Sequence, residues 1–71
     1  MNELQNHEIQ DIKQMIGHVG LAEMVSVIET ICYEKAEHAH SSQHDNDSAE
    51  LWETAGTALC NAYNRITSMG L

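Results

Sequence analysis

Residues 21–44, LAEMVSVIETICYEKAEHAHSSQH, carry the clearest apolar periodicity in the chain and run directly into its densest group of potential metal ligands. Leu21, Val25, Ile28, Cys32 and Ala39 follow one another at steps of four and three, with Lys35 in the one remaining slot, and Met24, Ile31 and Ala36 widen the stripe. That period marks an amphipathic α-helix over about residues 21–40, with a seam for a partner helix.

The partner lies downstream. Residues 41–47, SSQHDND, form a polar turn, and Asp47 with Glu50 three residues on has the logic of a capping box, so a helix is expected from about 48 to 68. Trp52, Ala55, Leu59, Ala62, Ile66 and Met69 supply its seam at steps of three and four, widened by Leu51, Ala58 and Tyr63. Ala55, Gly56, Ala58 and Ala62 are small enough to admit a neighbouring backbone, which predicts a tight antiparallel hairpin, and Gly70 is placed to end the helix.

Upstream, Leu4, Ile9, Ile12, Met15, Ile16 and Val19 share one flank, predicting an N-terminal amphipathic helix over about 3–16 that lies across the others or across a partner chain. Gly17 suits the left-handed end of that helix and Gly20 the start of the next. Whether Gly17 to Gly20 turns the chain or only kinks it is left open by the sequence. The expected fold is all-α, a single domain over 1–71 built as a helical hairpin plus an N-terminal helix. A hairpin of this size buries only part of each stripe, so a dimeric helical bundle is expected, with a three-helix monomer as the competitor.

Composition narrows the functions. Eleven acidic residues against three basic ones give a formal charge of −8, which argues against binding nucleic acid or an anionic membrane through a basic face. The opening MNELQNHEIQ is polar and no long apolar run follows, so a cytoplasmic setting is expected. Cys32 and Cys60 belong to no CxxC pair and read as two reduced, packed thiols. An antiparallel register would bring Cys32 opposite about residue 56, leaving Cys60 about one turn farther along.

Two constellations could carry metal chemistry. The first gathers Glu34, Glu37, His38, His40, His44, Asp45 and Asp47 around the turn, and Glu37-His38-Ala39-His40 has the Glu-x-x-His spacing that puts a carboxylate and an imidazole on one helix face. In that tetrapeptide the chain resembles ferritin-like di-iron bundles, which implies a transition metal. At about 100° per residue, however, Glu37 and His40 lie about 160° and 100° from the stripe, away from the hairpin's own core. The bland reading is that His and Glu solvate a helix end whose dipole favours cationic His.

The second is Glu34-Lys-Ala-Glu37 followed by Glu50-Leu-Trp-Glu53, which resembles the paired acidic motifs of the all-α nucleoside triphosphate pyrophosphohydrolases. That resemblance implies Mg²⁺ held by four carboxylates on two facing helices, although the family has Asp where this chain has Glu53. Residues 31–38 and 49–53 also look like a hairpin found in small proteins of cyanobacteria and some phages, which implies an intracellular all-helical protein and brings no active-site residues. Trp52, Tyr63 and the methionines 15, 24 and 69 offer contact area for a protein partner, with ordinary core filling as the alternative. The reading that follows is a non-enzymatic acidic homo-oligomer, an adaptor or modulator of another protein, with no cofactor expected. The alternative is a metal-dependent protein using Mg²⁺ or a transition metal at Glu34, Glu37, His38, His40, His44, Glu50 and Glu53.

Overall fold

The computed structural model describes residues 3–42 and 44–71, and it is all-α. Three helices follow in order, α1 (Asn6–Val19), α2 (Leu21–Ser41) and α3 (Asn46–Ser68). Gln43, part of the expected polar turn, lies outside the described residues.

Local chemistry moves the helix ends from where periodicity alone puts them. The backbone N–H of Gln5 donates to the Glu8 carboxylate at 2.7 Å, so α1 starts at Asn6 rather than at residue 3. Gly17 stays inside α1, and the break falls at Gly20, whose φ of 92° is open to glycine and strained for other residues. There the chain turns by 116° between α1 and α2, which settles the open choice between a turn and a kink.

The start of α3 is also earlier than expected. Asp45, not Asp47, is the N-cap: its carboxylate accepts from the Ser48 backbone N–H at 3.0 Å and from the Ser48 hydroxyl at 2.8 Å. The far end closes as a Schellman turn, with Gly70 at φ 88° and its N–H bonded to the Thr67 carbonyl at 3.0 Å, while the Leu71 N–H reaches the Ile66 carbonyl at 3.3 Å. The Leu71 carbonyl in turn accepts from the Ala22 N–H at 3.1 Å, tying the end of α3 to the start of α2. That bond satisfies one of the free donors every helix start exposes.

α2 and α3 pack antiparallel as the expected hairpin, whereas α1 packs on α2 alone. On α2 the seam keeps to the expected stripe at Cys32, Ala36 and Ala39, whereas on α3 it lies about a quarter turn from the expected one. Its buried residues are Cys32, Ala36 and Ala39 from α2 and Ala49 and Gly56 from α3, all of them small. Ile28, expected in the seam, is 42% exposed, and of the small α3 residues expected there only Gly56 is buried. Close approach of two backbones requires small side chains on both surfaces, so the helices rotate until their smallest strips meet and the larger residues are carried to the side.

The Tyr33 ring shows how close that approach is. An ideal Cβ on Gly56 would stand 2.5 Å from its Cε1, 2.8 Å from Cζ and 2.9 Å from Cδ1. The ring therefore lies against bare backbone. Across the turn, His40 Nδ1 and Asn46 Oδ1 are 2.7 Å apart, and with Tyr33 over Gly56 this sets a register in which residue numbers adding to roughly 88 stand opposite.

Candidate functional site

The hairpin has two broad sides, and helix geometry assigns residues to each. Seen from the seam, Met24, Ile28, Ile31 and Lys35 lie about a quarter turn round α2, and Ala55, Leu59, Ala62 and Ile66 lie about a quarter turn round α3 in the same rotational sense. Two antiparallel helices rotated in the same sense present these strips on the same side. That side is apolar, extended at its ends by Leu51, 71% exposed, and Met69, 68% exposed, with Trp52, 39% exposed, at its inner edge.

The opposite side carries Glu29, Glu37, Glu50 and Glu53, together with Tyr33, His40 and Asn46. One shallow hollow there is lined by His40, Asn46, Ala49, Glu50 and Glu53. The structure thus brings three of the seven candidate ligands into one depression. Glu34 and His38 line a different one, on the outer flank of α2 with Ile31 and Lys35. Glu37 is exposed and its backbone carbonyl accepts from the Ser41 hydroxyl at 2.8 Å, while His44 is exposed in the turn at φ 52°.

Among the described residues no three His, Cys, Asp or Glu side chains stand close enough together to hold a metal ion. The four carboxylates of the pyrophosphohydrolase-like pattern are divided, Glu34 in one hollow and Glu50 and Glu53 in another. The thiols of Cys32, which is buried, and Cys60, which is half-buried, are both free. The Asp45 carboxyl is held below its ordinary value of 3.8, first by the Ser48 backbone N–H and then by the Ser48 hydroxyl, both of which favour its charged form. Its role is to cap a helix.

The apolar side is where sequence reasoning went astray in detail. Ile28, Ala55, Leu59, Ala62, Ile66 and Met69 read as the inner seam because they keep a heptad step. The signal that turns them away from the seam is a smaller ladder on α3, Ala49 and Gly56, which meets Cys32, Ala36 and Ala39 of the expected α2 stripe. Each stripe is wide enough for two contacts, and the hairpin uses one.

No family model matches the chain, and no curated protein or solved structure matches it either. Among the described residues no single helix is long and apolar enough to cross a membrane.

Proposed function

We propose that this chain is a non-enzymatic interaction module of the cytoplasm, a homo-oligomeric adaptor or modulator of another protein. The observation that supports it is the distribution of apolar side chains. The buried set is Cys32, Ala36, Ala39 and Ala49, while Ile28, Ile31, Leu51, Trp52 and Met69 remain on the surface of one side of the hairpin, and Leu4, Ile9, Met15 and Val19 on and beside α1. Large apolar residues gathered on one face are the usual mark of a binding surface. The acidic side then faces solvent and a partner of opposite charge.

Light scattering followed by melting curves in EDTA, Mg²⁺, Mn²⁺, Zn²⁺ and Fe²⁺ tests this reading. The expected result is a mass above that of one chain and a melting temperature indifferent to metal. A rise of several degrees with Mg²⁺ or Mn²⁺ would overturn it in favour of metal-dependent nucleotide hydrolysis, because a ligand stabilises the state that binds it. A rise confined to Zn²⁺ or Fe²⁺ would overturn it in favour of the histidine group.

A further inference from the structure

We infer that the occupant of the apolar side is a second copy of this chain, docked so that α2 of each copy lies over α3 of the other in an antiparallel four-helix bundle. The inference rests on the reading of the chain as an interaction module and specifies its first partner.

Three observations carry it. The first is area. A compact protein of 7.9 kDa exposes about 4,400 Å², whereas this chain exposes 5646 Å². The surplus of about 1,200 Å² exceeds the roughly 800 Å² that each partner contributes to a standard interface and falls in the range of obligate dimers. The radius of gyration agrees, at 14.0 Å against about 11 Å for a compact chain of this length. α1, which buries no residue, contributes to that surplus together with the apolar side.

The second observation is relief. On α2 the side is a ridge of Met24, Ile28 and Ile31, and on α3 the small Ala55 and Ala62 form a trough on either side of Leu59. A two-fold axis running along the helices places the ridge of one copy over the trough of the other, twice over, as an isologous contact requires. The register agrees: Ile28 and Ile31 stand level with residues numbered roughly 60 and 57, between Ala55 and Ala62. Ile28 and Ile31 then settle around Leu59, over Ala55 and Ala62, and both copies bury the same surface.

The third is charge. A chain of net charge −8 repels its own copy unless the contact is nearly free of carboxylates. Glu29, Glu37, Glu50 and Glu53 lie on the opposite side, while the strip itself contains Lys35, with Glu34 and His38 at its outer margin beside Ile31. The acidic sides of the two copies point outward, as far from one another as the bundle allows.

The test uses the whole chain with Ile31→Glu, Ala55→Arg and an equimolar mixture of the two, each checked for helicity by circular dichroism and for mass by light scattering. Ile31 is exposed and Ala55 half-buried at the edge of the open side in the single chain, so the protomer is expected to tolerate the changes. Wild type at tens of micromolar is expected at twice the chain mass, each variant alone at half that mass, and the mixture back at the dimer mass, because one contact then pairs Glu with Arg and the other is wild type. A monomeric wild type would overturn the proposal, as would variants that remain dimeric or a mixture that stays monomeric. If either variant loses helicity, Ile28→Glu with Ala62→Arg repeats the exchange farther along the strip. A metal-dependent melt of an intact dimer would defeat the adaptor reading while leaving this contact standing.

Discussion

The two strips that α2 offers to its surroundings differ in kind. One, Cys32, Ala36 and Ala39, is narrow, small and buried against Ala49 and Gly56; the other, Met24, Ile28 and Ile31, is larger and more hydrophobic, half-buried at Met24 and open at the two isoleucines. Transfer from water alone would favour burying the second strip first, since the gain grows with apolar area. The hairpin does the reverse. Packing decides: small residues bring the helix backbones together and let the Tyr33 ring close over Gly56, and dispersion rewards that proximity across many atoms. The larger strip keeps its driving force for a contact made between chains.

The sharpest way to break this contrast is to enlarge the small strip. Ala36, 3% exposed, has no room for a longer side chain, so Ala36→Leu is expected to cost about 1–3 kcal/mol, a loss in melting temperature of roughly 4–8 °C for each kcal/mol. A melt unchanged from wild type would show that the helices do not touch where Ala36 lies.

Gly56 gives a more selective test. In an ordinary helix interior Gly→Ala gains about 1 kcal/mol from backbone entropy. Here the added methyl meets the Tyr33 ring, so Gly56→Ala is expected to lose that gain or to destabilise. Tyr33→Ala should restore it, a non-additivity of about 0.5–3 kcal/mol in a double-mutant cycle read by urea denaturation. Additive changes would separate the ring from the glycine.

On the acidic side the expected effects are small. Glu37→Ala and Glu53→Ala should each change stability by less than about 0.5 kcal/mol, as exposed substitutions without a partner do. A loss several times larger, seen only in Mg²⁺, would give that side a metal.

The smallest expected effect belongs to Asp45. Its folded pKa lies below its ordinary value, so its contribution is complete above the unfolded carboxylate range and disappears as the pH falls through the lowered folded value. Asp45→Asn keeps an acceptor for the Ser48 N–H and removes the charge, so the difference between wild type and variant melts should shrink in acid. A difference that persists at the acid end would assign the effect to shape rather than charge.

Much of the architecture is legible in the chain. Apolar steps of three and four announce three helices, the polar run at 41–47 announces the reversal between the last two, and Gly70 announces the end. Helix ends were less legible, because Gln5 with Glu8 and Asp45 with Ser48 compete with neighbouring residues that satisfy the same capping rules. Of the candidate ligands, His40, Glu50 and Glu53 do meet in one hollow, while Glu34 and His38 sit in another. Spacing along one helix fixes only that helix's own face, and nothing in it says how the face turns toward a neighbour.

The sequence by itself determined the helical class, the hairpin and its register near Tyr33 and Gly56, since periodicity and turn chemistry are local properties of the chain. Only the tertiary structure decided which strip of α3 became the seam and how the α2 stripe turned within it, and therefore which apolar face was left for another molecule. The reason is physical: hydrophobic patterning scores each residue for burial alone, whereas the approach of two helices depends on the joint shape of both surfaces, and here that shape favoured Ala36 and Ala39 over Ile28 and Ile31.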